Sequence, residues 1–387
     1  MSCMDSGQIP PVLPPSTSPL IFRSTRRNFG FCRADFAAVF FFSGMIFVTV
    51  RPPSLARPNW VWCVAGHPAP RQCDAVFLAR FPTLLDSQRL RRFNARVLLD
   101  KLTIIGVGLL GGSIGLAARA HGLAKSVSAL VRRPESVAEC QALGVADEVT
   151  LDSAEAVADA DLVVLCTPIS GMTGLAKRIL PHLKPGAIIT DVGSTKQQLV
   201  AKLTPLCTGA DTHFVGSHPM AGNDQTGPAA ARVDLFDGTV CVVTLTDDTH
   251  PEAIKTVNQF WAGLGSQPIE MTSGLHDRLV ARCSHLPHLL ASALARRVLD
   301  PPHDEQQSQL CATGFRDMTR LAAGSPVMWR DIVGSNRDDI LSAIDEFADE
   351  LGELRGLIAG DSPEAIEAWL QQAKAARDNW NKSADAD

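Results

Sequence analysis

The chain has 387 residues, 45% hydrophobic and 20% charged, with a formal net charge of −5. That length holds two ordinary domains with a sizeable core, and the charge balance lacks the basic excess of a nucleic-acid-binding surface. Ten cysteines contain no C-x-x-C pair and read as reduced cytosolic thiols, not as a disulfide framework or a zinc site.

The average conceals a break near residue 100. Residues 1–100 hold no Lys and no Glu but 12 Arg and 5 Asp, a net +7, which leaves 24 basic and 36 acidic residues, a net −12, in the remainder. The same stretch holds 11 of the 25 prolines and 11 of the 16 phenylalanines. Its apolar run Phe36–Val50 has 15 residues, short of the roughly 20 that span a bilayer. A signal-peptide core is a second reading of that run, but no small-residue cleavage site follows it cleanly. The expectation is a segment outside the folded enzyme, disordered or not native. It is an upstream stretch translated from a misassigned start, a targeting or anchoring extension, or an accessory segment.

From Lys101 strands and helices alternate. Leu102–Ile105, Val127–Val131, Asp161–Cys166, Ala187–Asp191, Phe214–Ser217 and Val240–Thr244 read as strands. Pro134–Leu143 reads as a helix with proline at its start and Gly144 at its end. Ser170 is placed to cap a helix running towards Pro181, and Lys196–Leu206 forms another. Near-continuous apolar strands separated by helices predict a parallel sheet covered on both faces. After about Met271 only helices are expected, over Leu275–Leu299, Gln306–Ala323, Pro326–Leu357 and Pro363–Ala376, with Pro287 disturbing the first. The division is therefore residues 1–100 as an extension, 101–270 as an α/β domain and 271–387 as an all-α substrate and dimerisation domain. The long apolar helices suit a shared homodimer interface.

The first strand leads into Gly106-Val107-Gly108-Leu109-Leu110-Gly111 and then a helix. In a G-x-G-x-x-G turn the first glycine makes the bend, the second lets a pyrophosphate approach and the third lets the helix pack on its strand; the helix N-terminus faces the anion. A Rossmann-type dinucleotide site follows. About 20 positions past Gly111 an acid would select NAD, but here stand Val131, Arg132 and Arg133. Two guanidiniums suit a 2′-phosphate, so the cofactor is NADP or NAD with NADP favoured. The plainer alternative leaves both arginines solvated on a loop.

Four other segments carry chemistry-bearing residues. Asp191-Val192-Gly193-Ser194-Thr195-Lys196 and Ser217-His218-Pro219-Met220-Ala221-Gly222 each end a strand, at the carboxyl edge where such sheets bind ligands. Ser284-His285-Leu286-Pro287-His288 lies on a helix, and Gly314–Arg320 begins another. Taken singly, each has a bland reading. A lone histidine is more often structural than catalytic. His285 and His288 share a helix face but lack a third metal ligand. Arg320 suits a surface ion pair.

Together with GVGLLGGSIG (106–115), Thr167-Pro168 and MWRDI (328–332), these segments match seven motifs in order and spacing. Residues 101–360 resemble the prephenate/arogenate dehydrogenase family of tyrosine biosynthesis. The resemblance implies a cytoplasmic NAD(P)-dependent oxidoreductase acting on a 4-hydroxycyclohexadienyl substrate, with no nucleic-acid or membrane partner and no metal. It implies cofactor contacts by Gly106, Gly108, Leu109, Leu110, Gly111, Arg132, Arg133, Thr167 and Pro168. It further implies that His218 is the base, Ser194 bonds the 4-hydroxyl, Arg320 holds a carboxylate and His285 positions substrate. Asp224 stands where some relatives have a gating glutamate, beside Asp317 and Arg320, and is one methylene shorter. Prephenate is the expected substrate. Arogenate, or both, is the alternative, and a non-catalytic nucleotide-binding redox sensor is a third reading. Substrate preference and feedback by tyrosine are left open by these residues.

Overall fold

The computed structural model of the protein describes residues 35–42, 45–51, 60–63, 97–222, 225–300 and 305–384. The chain divides into two units, Met1–Asp86 and Ser87–Asp387. In the first, β1 (Asp35–Phe42), β2 (Met45–Arg51) and β3 (Trp60–Cys63) pair antiparallel in that order. The apolar run Phe36–Val50 lies across the β1–β2 hairpin, and Phe36 is paired with Val50 itself.

The second unit is built on one eight-stranded sheet. Its strands are β4 (Leu99–Ile105), β5 (Ala124–Leu130), β6 (Glu148–Thr150), β7 (Leu162–Leu165), β8 (Ile188–Asp191), β9 (His213–Pro219), β10 (Val240–Leu245) and β11 (Gln267–Thr272). They lie in the order β11-β10-β9-β8-β7-β4-β5-β6. From β4 the chain winds outward to β5 and β6, then returns to the other flank of β4 to lay down β7. The two connections diverge at the carboxyl ends of β4 and β7, a topological switch point where open α/β sheets bind ligands.

Period-two alternation sends successive side chains of each central strand to opposite faces. Leu102, Ile104, Leu162 and Val164 enter one core cluster, while Ile105, Val163 and Leu165 enter the other. α1 (Leu109–Ala120) and α6 (Pro251–Gly263) pack into the first, and α4 (Ile169–Ile179) and α5 (Gln197–Thr208) into the second. Both faces being covered explains why these strands read as unbroken apolar runs. Thr103, fully buried between them, gives its hydroxyl to Ala156 O at 2.7 Å, so the polar group enters the core without losing its hydrogen bond.

Several expectations need correction. The sheet is not wholly parallel, because β10 runs antiparallel to β9 while pairing parallel with β11. Among its described residues the β9–β10 connection contains only a short 3-10 turn, Pro228–Ala230, and no crossover helix of the kind a parallel neighbour requires. Ser170 does not cap α4. The helix begins at Ile169 with Pro168 before it, which puts Ser170 inside the first turn, and its hydroxyl instead donates to Asp331 Oδ2 at 2.5 Å. The strands β6 and β11 and the helices α3 (Ser153–Val157) and α6 were not anticipated. α2 falls at Pro134–Leu143 as expected, with Gly144 at φ 66° closing it.

After Thr272 everything described is helical, in shorter pieces than the sequence pattern indicated. The first expected helix is α7 (Ser273–Val280), a π-helical turn (Ala281–His285) and α8 (Leu286–Leu299). The turn sits just ahead of Pro287, whose missing N–H and ring displace the regular i→i−4 ladder. The second is α9 (Glu305–Gln309), α10 (Thr313–Thr319) and a 3-10 turn over Arg320–Ala323. The third is α11 (Pro326–Ser335) and α12 (Arg337–Ala359), hinged at Asn336, and α13 (Pro363–Ala384) follows. Their shared core is small, formed by Ala281, Leu286, Ile340 and Ala343. Among the described residues no helix is long and apolar enough to cross a membrane.

Candidate active site

The glycine turn takes the shape its sequence requires. Gly106 adopts φ +95°, where a side chain is strained. A Cβ on Gly111 would lie 2.1 Å from Gly106 O, so only glycine lets α1 pack this closely on its strand. A Cβ on Gly108 would meet nothing within 4 Å. The backbone there faces open space, as a cradle for a phosphate must. Leu109 and Leu110 supply the first-turn N–H groups of α1, while their side chains pack inward.

A cavity of about 760 Å³ lies over this turn. Gly106, Gly108, Thr167, Pro168, Arg132 and Arg133 all line it. The fold thus gathers segments from the ends of β4, β5 and β7 around one cleft. Arg178, on the last turn of α4, also lines it and was not singled out from the sequence. Among the described residues neither Arg132 nor Arg133 makes an ion pair. An open backbone cradle at a helix N-terminus, with guanidiniums that make no ion pair among the described residues lining the same cleft, fits a dinucleotide.

Further along the same sheet edge, β8 ends at Asp191 and β9 carries His218. Asp191 and Lys196 form an ion pair with both side chains wholly buried. Asp191 also accepts from Gly193 N at 2.7 Å and Ser217 N at 3.1 Å, which offsets the cost of burying a carboxylate. Ser217 is held in turn by Asp191 O at 2.5 Å and by the Trp261 indole N–H at 3.0 Å. Much of the D-V-G-S-T-K and S-H-P-M-A-G pattern is therefore internal bracing between β8 and β9. Ser194 is half-buried and makes no hydrogen bond to a described residue.

His218 is 9% exposed, and its Nδ1 lies 2.8 Å from His276 Nε2. His276, on α7, places Nδ1 2.7 Å from Asp277 Oδ1. The Asp277 carboxylate also accepts from Lys196 N at 2.7 Å and Gln197 N at 2.8 Å, at the start of α5. Burial holds the His218 pKa well below the usual histidine value, helped by His276, Lys196 and His285, so the ring is neutral at neutral pH.

His285 is 1% exposed at the end of the π-helical turn. Asn336 Nδ2 donates to Asp277 O at 2.8 Å and lies 3.2 Å from His285 Nδ1. Since Asp277 O can only accept, this nitrogen is the amide donor, which makes His285 Nδ1 the acceptor and puts the ring proton on Nε2. That Nε2 is buried with no partner among the described residues, a donor waiting for an acceptor. Burial lowers the His285 pKa to about 4. His288 stacks on Trp329, ring centroids 3.5 Å apart, and serves packing.

The expected substrate residues are not all brought together within one chain. Arg320 and Asp317 are exposed, with no hydrogen bond or ion pair to a described residue. Asp224 lies outside the described residues. His276, Asp277 and Asn336 were missed. The His-Asp dipeptide on a helix was visible, but nothing local placed it against a histidine 58 positions away.

Fold and site together define a class: a nucleotide-binding α/β domain whose carboxyl edge carries a buried, neutral histidine met by a helical domain. The nucleotide-binding domain of prephenate dehydrogenase matches residues 114–270, and the prephenate dehydrogenase dimerization domain matches residues 272–372. Prephenate dehydrogenase of Bacillus subtilis is 33% identical over 285 residues, covering 72% of this chain and 76% of that one. Cyclohexadienyl dehydrogenase of Zymomonas mobilis is 34% identical over 71% of this chain and 94% of its own. The crystal structure of Aquifex aeolicus prephenate dehydrogenase with hydroxyphenyl propionate and NAD+ superposes with a TM-score of 0.68 at 31% identity, over 72% of this chain and 98% of that one. The chain belongs to the prephenate dehydrogenase family.

Proposed function

We propose that this protein oxidatively decarboxylates prephenate to 4-hydroxyphenylpyruvate, with His218 as the proton acceptor. The observation that carries this reading is a buried histidine, held neutral, on the same sheet edge as the dinucleotide cleft. A bound nicotinamide supplies the acceptor for the hydride that leaves ring C4. The protein's own work is to draw the proton from the 4-hydroxyl as the C4–H bond breaks, and a neutral imidazole is matched to that task. The ring carboxylate then leaves as CO₂, and aromatisation drives its loss. His285 Nε2–H offers a donor to a substrate oxygen, and Ser194 offers a half-buried hydroxyl beside the sheet edge. Arg320 is assigned a substrate carboxylate, which a fixed guanidinium suits.

Arg132 and Arg133 in the lining of the cleft, which includes no acid, support NADP over NAD. The α/β and helical domains divide near residue 270, and the helical one forms the homodimer of a cytoplasmic enzyme. A second reading, acceptance of arogenate as well, is favoured by the similarity to cyclohexadienyl dehydrogenase. Steady-state rates with prephenate and arogenate, each with NAD and NADP, test all of this. The expected result is prephenate-dependent cofactor reduction with release of CO₂, faster with NADP. No turnover of either substrate would overturn the proposal.

A further inference from the structure

Three buried side chains, His218, His276 and Asp277, form a hydrogen-bonded line. His276 is 1% exposed and Asp277 is fully buried. The hydrogen bonds run His218 Nδ1 to His276 Nε2 at 2.8 Å, then His276 Nδ1 to Asp277 Oδ1 at 2.7 Å. Two backbone N–H groups, of Lys196 and Gln197, fix the carboxylate at 2.7 and 2.8 Å. An Asp277 that accepts from two amides is an anion held in place.

The proton positions follow from donor and acceptor capacity. A carboxylate only accepts, so His276 Nδ1 carries a proton. With its single ring proton on Nδ1, His276 has a bare Nε2 that accepts. Its partner, His218 Nδ1, must therefore donate. A neutral His218 has only one ring proton, so its Nε2 is bare.

We infer that Asp277 and His276 are positioning residues that hold His218 in the tautomer whose Nε2 is the free base. This rests on the reading of His218 as the proton acceptor. When His218 Nε2 takes the substrate proton, the O–H bond breaks and an N–H bond forms. The resulting imidazolium keeps its Nδ1–H on His276, whose own Nδ1–H stays on the Asp277 carboxylate. No further proton moves. The charged and titratable groups around His218 are His276, Asp277, His285, the Lys196–Asp191 pair and the buried Cys241 thiol of β10. Asp277 also bonds Asn336 through its backbone carbonyl. The first turns of α7 thus reach both histidines, whose Nε2 atoms end in opposite states, one an acceptor and one a donor.

Two variants of the full chain and one spectrum test the inference. His276→Leu removes the acceptor, and kcat should fall about a hundredfold or more, as when the orienting group of a catalytic histidine is lost. The Michaelis constant for prephenate and the cofactor dissociation constant should stay within about threefold. In His276→Gln an amide oxygen can still accept from His218 Nδ1, so at least about tenfold of the kcat loss should return. A kcat for the leucine variant within threefold of the parent overturns the inference. So does an equal loss in both folded variants, which would assign His276 to packing. Nitrogen-15 spectra of histidine-labelled protein, with the His218 signals assigned by difference from His218→Asn, read the tautomer whether or not the His276 variants fold. A protonated Nδ1 and bare Nε2 support the inference; a protonated Nε2 overturns it. If the parent turns over neither substrate, the proposed function fails, while the spectrum still decides the tautomer.

Discussion

His218 and His285 show how burial and bonding give one residue type two jobs. His218→Asn should fold and bind cofactor as the parent does while kcat falls about a hundredfold or more, the usual loss on removing a general base. Stopped-flow turnover beside cofactor titration checks this. His285 makes an acid-stability prediction. Its folded pKa is lowered to about 4 by burial, while in the unfolded chain it titrates near 6.5. Between those values the unfolded state binds more protons, so stability present above pH 6.5 is lost as pH falls towards 4. The amount is about 3 kcal/mol. Urea midpoints at pH 7, 5.5 and 4.5 should show this decline, and His285→Gln should flatten it. Identical declines in the two proteins would remove His285 as the cause. In the lining of the cleft, Arg132→Ala with Arg133→Ala should weaken NADP much more than NAD, because only NADP carries the 2′-phosphate; an equal effect makes them bystanders.

At the scale of elements, the turn between β4 and α1 separates two roles of glycine. A methyl at Gly111 would meet the Gly106 backbone at 2.1 Å, which no rotamer change relieves. Gly111→Ala should cost about 3 kcal/mol of stability, as overpacking of a rigid site does. A methyl at Gly108 meets no protein atom. Gly108→Ala should leave thermal unfolding unchanged and raise the cofactor dissociation constant, since the new group enters the space where the pyrophosphate approaches. Calorimetry and cofactor titration on the pair would show opposite patterns. Besides the bonds of His276 and Asp277, two more tie the helical elements to the α/β domain, Ser170 Oγ to Asp331 Oδ2 at 2.5 Å and Thr195 Oγ1 to Ser335 Oγ at 2.9 Å. The first brings Asp331 of the M-W-R-D-I motif, remote in sequence, onto the first turn of α4.

For the whole molecule, the helical region leaves much apolar surface open within one chain. Ile344, Leu351 and Ile358 recur every seven residues along α12, and the last two are 49% and 60% exposed. A sustained apolar stripe of this kind calls for a partner helix, in keeping with the dimerization domain matched at residues 272–372. Ile358→Glu should convert a dimer to monomer in light scattering, because it buries a charge in the interface. Residues 1–97 precede the strand that opens the main sheet at Leu99. Their deletion should leave a soluble, active dimer, checked by activity and mass in solution; an inactive truncation beside an active full chain would make them part of the working fold.

Alternating apolar strands, the Gly106–Gly111 turn, Pro134 and Gly144 around α2, and the end of strands after Thr272 were all legible in the sequence. Each is a local rule of backbone conformation or hydrophobic period, written within a few residues. The reversal of β10 was not legible, because strand direction depends on how a connection crosses the sheet. Nor were the breaks at the π-helical turn and at Asn336, where packing around Pro287 and the His285–Asn336–Asp277 bonds prevails over helix periodicity. His218 was singled out by its motif, but its lowered pKa comes from burial first, helped by His276, Lys196 and His285 from other parts of the chain. Protonation is set by which groups meet in a low-dielectric interior, and only tertiary folding brings Asp277, His276 and His218 into one line.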